Sequence, residues 1–148
     1  MKKVKKTHVG AYGVIIKENK IALIRKARGG YKGKLDLPGG GIEHTENPLQ
    51  TLYREIREEV NCTVISAELL DVTATNITWE MDKNLFEDLH HIGILYLVKI
   101  KENILKEDSD GLDSDGSEWI EINSLRQEQL SPFAWYAIEK IRTKYKHK

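Results

Sequence analysis

LPGGGIEHTENPLQTLYREIREEVNC, residues 37–62, decides how the chain is read. A glycine-rich turn leads into a segment bounded by strong helix signals. Asn47 suits the N-cap, Pro48 the first helical position, and Gln50 completes a capping-box pattern with Asn47. Leu49, Leu52, Tyr53, Ile56 and Val60 recur at helical spacing and predict a buried face. At about 100° per residue, Glu55, Glu58 and Glu59 fall within an arc of roughly 100° on the side away from that stripe. Asn61 stands where the helix should stop, and it tolerates the left-handed conformation of a C-cap. The stretch therefore predicts a helix with one core face and one exposed acid face.

Upstream, His8–Ile16 is apolar and reads as a buried strand, and Lys20–Arg25 alternates as a second strand after a turn at Glu18-Asn19. The basic opening, Lys2, Lys3, Lys5 and Lys6, reads as a frayed, solvated terminus. Arg25, Lys26, Arg28, Lys32 and Lys34 gather around Gly29, Gly30 and Gly33, either as a solvated loop or as a cradle for phosphates. Downstream, Val64–Thr75 and Leu89–Ile100 read as strands, with Asn76–Asp88 between them as a loop or strand end. The run at 108–117, DSDGLDSDGS, lacks the closing glutamate of an EF-hand calcium loop. Glu118–Ile122 is a short alternating strand. Ser131-Pro132 opens a last helix with Phe133, Ile138, Ile141 and Tyr145 on its inner face. This order predicts an α/β layered domain with helices packed on a mixed sheet.

The chain has 148 residues, enough for one domain with a real core. Its formal net charge is zero, so composition implies no bulk pull toward nucleic acid or membrane. A single cysteine, Cys62, excludes an intrachain disulfide and fits a reducing cytoplasm. No apolar run reaches the length of a membrane span. A cytoplasmic protein is expected.

Three carboxylates crowded on one helix face repel one another unless a cation sits among them. Hard oxygen donors suit Mg²⁺ or Mn²⁺ in preference to zinc, which takes His and Cys. With a basic loop close by in sequence, the pattern points to phosphoanhydride chemistry.

The spacing is more specific than the acidity. Gly40, five residues, Glu46, seven residues and then Arg54-Glu55-Ile56-Arg57-Glu58-Glu59 resembles the Nudix box. Seven of the nine fixed positions of that signature match, and Leu37-Pro38-Gly39 resembles its usual lead-in. Asn61 replaces the box glycine and Cys62 its last aliphatic residue. The Asn61 change is tolerated by a C-cap, and a buried free cysteine behaves as a small hydrophobe.

The resemblance implies a Nudix-like α/β/α sandwich with a mixed β-sheet, as a single domain over 1–148. It implies an enzyme that uses Mg²⁺ or Mn²⁺ and water to cleave a pyrophosphate bond in a nucleoside diphosphate derivative. By position, Glu55, Glu58, Glu59 and the carbonyl of Gly39 would hold the metal. Arg54 would brace the glutamates, and Gly40 and Glu46 would support the turn and helix. The family commonly adds a carboxylate from a late loop. Asp113 is the first candidate, with Asp115 and then Glu87 or Asp88 behind it. Arg25 and Arg28 are candidates for phosphate binding, and Trp79 for stacking on a base.

Neither the proline marker of the ADP-ribose branch nor the tyrosine marker of the dinucleoside polyphosphate branch is present after the box. That favours a MutT-like hydrolase of nucleoside triphosphates, giving a nucleoside monophosphate and pyrophosphate. The alternatives are ADP-ribose, a nucleotide sugar, an RNA 5′ end, or a nucleotide-sensing module without catalysis. The expected partner is a small nucleotide, with no membrane and no stable nucleic-acid partner; a homodimer is a further candidate. Glu59→Gln is expected to abolish hydrolysis at little cost in stability, because Glu59 is expected to be exposed.

Overall fold

A computed structural model describes residues 2–102, 104–108, 111 and 114–146, the side chains of 144–146 excepted. Asp113 and the Tyr145 side chain therefore lie outside the described residues, as does much of the acidic run at 108–117. The elements in order are β1 (Lys2–Lys17), β2 (Lys20–Lys26), β3 (Leu35–Asp36), β4 (Gly39–Gly41), α1 (Pro48–Val60), β5 (Val64–Asp82), β6 (Leu85–Ile100), β7 (Ser114–Glu121) and α2 (Pro132–Lys146). Two single 3₁₀ turns precede α2.

The strands form one mixed sheet in the order β3-β2-β1-β6-β5, with β4 paired to β1 and β7 to β2. β1 and β6 run parallel, whereas β1–β2, β1–β4, β2–β7 and β5–β6 are antiparallel. Successive side chains of a strand point to opposite faces, and the core divides accordingly. Tyr12, Val14, Ile21, Leu23 and Leu95 pack with Phe133, Ala134, Ala137, Ile138 and Ile141 of α2. Their sequence neighbours Ala11, Ile15, Ala22 and Ile24, with Val98, pack with Leu52, Ile56 and Val60 of α1. The sheet is thus filled on both faces, which is the expected α/β/α sandwich with a mixed sheet. Among the described residues, no helix is long and apolar enough to cross a membrane.

Several expectations need correction. The lysine-rich opening is not frayed: Lys2–Thr7 continues β1, in register with Leu85–His90 of β6. Its main chain pairs even though its side chains are exposed, and backbone pairing requires no apolar pattern. Asn76–Asp88 is not a loop. β5 and β6 run on through it and turn at Lys83-Asn84, where Asn84 takes φ 57°. On α1, Leu49 and Tyr53 are exposed, and the buried residues are Thr51, Leu52, Ile56, Glu59 and Val60. The stripe is rotated so that Glu59, expected in solvent, is only 2% exposed.

Candidate active site

Both helix signals of α1 act as read. Asn47 accepts the Gln50 amide at 2.9 Å, while Gln50 accepts the Asn47 amide at 2.8 Å. Asn61 ends the helix with φ 56° and ψ 41°, its amide donating to the Arg57 carbonyl. Capped at both ends and held on the sheet by Leu52, Ile56 and Val60, α1 is a rigid platform for its carboxylates.

The glycine turn meets that platform edge to edge. β4 pairs with β1 so that Gly39 faces Tyr12 and Gly40 faces Ala11. Gly39 has φ 149°, and a Cβ there would stand 2.2 Å from the Ala11 carbonyl oxygen, so only glycine fits. Its amide donates to Glu59 Oε1 at 2.7 Å. A Cβ on Gly40 would stand 2.5 Å from Glu55 Oε1, so the missing side chain is the space that the Glu55 carboxylate occupies.

The three glutamates are graded in depth. Glu59 is buried, the Glu55 side chain is 15% exposed, and that of Glu58 is 46% exposed. Burial raises the Glu59 pKa well above the ordinary carboxylate value; the Gly39 amide opposes the rise and neighbouring Glu55 adds to it. Arg54 braces the group. Its Nε and Nη2 grip Glu46 at 2.8 and 2.9 Å, and its Nη1 donates to Glu55 at 2.9 Å and reaches Glu58 at 3.5 Å. The Arg54 hydrogen bonds hold Glu46 down at about 2, helped by the Glu43 amide and the Thr51 hydroxyl. Glu46 thus anchors the arginine, and the arginine draws Glu55 and Glu58 together.

This donor set fits Mg²⁺ or Mn²⁺, being all hard oxygen, with Glu55 seated in the space that Gly40 leaves. Among the described residues, no three His, Cys, Asp or Glu side chains already converge as a cation site. Arg54 stands between Glu55 and Glu58 instead.

Beside the turn lies a cavity of about 750 Å³. Its lining includes Gly39 and Gly40, the cationic Lys26, Arg28 and Lys32, and Trp79 with Glu87. Arg28 and Trp79 are therefore brought to the glycine turn. Arg25 is not among the lining residues, and its guanidinium lies 3.9 Å from Glu118 across an exposed pair. Glu87 is buried and accepts the Trp79 indole N–H at 2.9 Å, which orients the ring. Asp88 lines a separate hollow with Lys5 and Lys6, and Asp115 is exposed.

Among the cavity residues that escaped the sequence reading are Tyr12, Tyr31, Asp36 and His91. The Tyr12 hydroxyl lies 2.6 Å from His91 Nε2, and the Tyr31 hydroxyl 3.1 Å from Nδ1. Tyr31 also stacks on the imidazole. Burial, with His8 and Lys26 close by, lowers the His91 pKa to about 3, so the ring is neutral at pH 7. Asp36 Oδ1 accepts from Ser131 at 2.5 Å and from the Leu37 amide at 2.8 Å, which joins the start of α2 to the strand entering the turn. Tyr12 and Tyr31 sit 79 and 60 residues from His91, so no local spacing could have shown this cluster.

The family model described as NUDIX domain matches residues 6–141. The chain is 31% identical over 104 residues to an 8-oxo-dGTP diphosphatase of Proteus vulgaris, covering 70% of this chain and 85% of that one. It is 33% identical over 76 residues to an RNA pyrophosphohydrolase of Saccharophagus degradans, covering 51% of this chain and 45% of that one. The chain thus spans less than half the length of that second relative. A crystal structure of a MutT NUDIX hydrolase from Burkholderia pseudomallei superposes with a TM-score of 0.74 at 23% identity, over 92% of this chain and 98% of that one. That likeness establishes the shared fold.

Proposed function

This chain belongs to the Nudix family, and on that premise we propose that it is a metal-dependent pyrophosphohydrolase of nucleoside diphosphate derivatives, foremost nucleoside triphosphates. The observation that carries the reading is the Gly39–Glu59 contact. It fixes a buried carboxylate, with Glu55 beside it, at the edge of a cavity lined by lysine and arginine.

Glu55, Glu58, Glu59 and the Gly39 carbonyl would hold Mg²⁺ or Mn²⁺. When bound, the metal offsets phosphate charge and lowers the pKa of the attacking water. The chain's own groups do the rest. Lys26, Arg28 and Lys32 hold the phosphates. Arg54 keeps Glu55 and Glu58 from splaying apart. Trp79, with its ring oriented by Glu87, offers a face for the base. One P–O bond forms to water, the bridging P–O bond breaks, pyrophosphate leaves, and the water's proton passes to solvent through a carboxylate. Asp113, outside the described residues, is the late-loop candidate for that carboxylate, and Glu87, one of the acids that line the cavity, is the alternative.

The purified chain should be incubated with Mg²⁺ and nucleoside triphosphates, ADP-ribose, nucleotide sugars, dinucleoside polyphosphates and 5′-triphosphorylated RNA, and the products identified. A nucleoside monophosphate and pyrophosphate from a triphosphate, lost in EDTA and restored by Mg²⁺ or Mn²⁺, are expected. Turnover undiminished in excess EDTA, or no product from any substrate, would overturn the reading.

A further inference from the structure

A second hollow, of about 630 Å³, lies against the first, between the 26–34 loop, β5 and the start of α2. The two share Gly30, Tyr31 and Trp79. Their linings differ in chemistry. The first carries Lys6, Lys26, Arg28 and Lys32 against the acids Asp36, Glu80 and Glu87, whereas the second is walled mainly by Ile77, Leu130, Pro132, Trp135 and Tyr136, with Gln127 and Glu139. Its one lysine, Lys34, is already engaged with the Glu128 carbonyl.

The shared wall is held in place from both sides. A Cβ on Gly30 would stand 2.4 Å from Ile77 Cδ1 and 3.1 Å from Trp79 Cδ1, so the loop backbone lies directly on the β5 side chains. The Trp79 indole is oriented by Glu87, and the Tyr31 hydroxyl is anchored on His91. Trp135 sits in the first turn of α2, its amide bonded to the Ser131 carbonyl and its ring packed against the core.

A nucleotide has a polyanionic end and a flat aromatic end, joined by a few bonds. Aromatic side chains bind bases by stacking, largely independent of base identity. We propose that the second hollow receives the base of the substrate against Trp79 and Trp135, while the phosphates occupy the basic cavity across the Gly30–Tyr31 ridge. Trp135 is then a base-binding residue that lies outside the box. The volume lies within the roughly 300–1,000 Å³ of small-molecule sites. This assignment rests on the reading of the chain as nucleotide-binding, and its test separates the two.

The chain has three tryptophans, so its indole N–H groups give three NMR signals, assignable with Trp79→Phe and Trp119→Phe variants. The probes are an α,β-imido nucleoside triphosphate and inorganic tripolyphosphate, each with Mg²⁺. The nucleotide analogue should move the Trp79 and Trp135 indoles together with the amides of Gly29–Lys32, and tripolyphosphate should move the amides and leave Trp135 still. Trp135→Ala should weaken analogue binding about tenfold and leave tripolyphosphate binding unchanged, with Trp135→Phe retaining most of the affinity. An analogue that moves the 29–32 amides without moving Trp135 overturns this inference and leaves the functional reading standing. One that moves neither overturns both.

Discussion

Glu59 Oε1 accepts the amide hydrogen of Gly39 at 2.7 Å, joining the last turn of α1 to the glycine turn 20 residues earlier. The carboxylate that makes this bond is buried, while its neighbours Glu55 and Glu58 lie progressively nearer to solvent. One contact therefore sets both the depth of the acidic group and its position beside the cavity.

Glu59→Gln keeps an acceptor for the Gly39 amide, so it should abolish hydrolysis while the melting temperature stays at or above that of the parent. The reason is not exposure, since Glu59 is buried, but the relief of a buried carboxylate. Glu59→Ala should also be inactive, and should cost about 1–3 kcal/mol because it leaves that amide unpaired. Denaturant unfolding of both variants checks the contrast; a Gln variant as unstable as the Ala variant would refute it.

Gly40→Ala and Gly39→Ala should differ in kind. A methyl group on Gly40 meets the end of a flexible side chain, Glu55, so activity should fall more than stability. On Gly39 it meets the Ala11 carbonyl at a positive φ, so the fold itself should lose at least about 1–3 kcal/mol. Thermal melts beside initial rates separate the two.

Arg54→Lys removes a two-pronged grip on Glu46 that an ammonium cannot reproduce. Activity at limiting Mg²⁺ should fall by roughly 10–100-fold, the usual cost of removing support behind metal ligands. A Mg²⁺ titration should show the activation midpoint moving to higher concentration. An unchanged midpoint would mean that Arg54 does not hold the ligands.

Arg28→Ala should raise KM for a nucleotide, because Arg28 lines the basic cavity, while Arg25→Ala should stay within about twofold, as expected for an exposed pair with Glu118. Equal effects of the two substitutions on KM would place the phosphates elsewhere.

His91 makes stability depend on acid. Its folded pKa of about 3 lies below the ordinary 6.5, so between those values the unfolded chain binds a proton that the folded chain does not. Stability is fully present above about pH 6.5 and is lost as pH falls toward 3, by up to about 1.4 kcal/mol per pH unit and less where cavity water screens the ring. Unfolding free energies of the parent and of His91→Gln, measured at pH 7, 6 and 5, should show the shallower slope in the variant. Parallel slopes would refute it.

Much of the fold could be read from the residues in line. Asn47, Pro48, Gln50 and Asn61 marked both ends of α1, because capping is chemistry between a side chain and backbone a few residues away. The box spacing marked the family for a similar reason: Gly40, Glu46, Arg54 and the glutamates sit on one turn and one helix, where separation along the chain translates directly into separation in space. Strand boundaries at Lys2–Thr7 and Asn76–Asp88 were less legible, since those segments are held by backbone pairing, which leaves little side-chain pattern.

Tertiary structure alone decided the rest. Helical periodicity gives the direction of a side chain about the axis but not its depth, so Glu59 looked exposed until the Gly39 strand closed over it. The Tyr12–His91–Tyr31 floor and the Trp79 wall come from strands and loops distant in sequence that meet only when the sheet forms. The local sequence determined which residues carry the acidic group and its capped helix. The packing of the sheet determined how deep that group lies and what kind of cavity faces it.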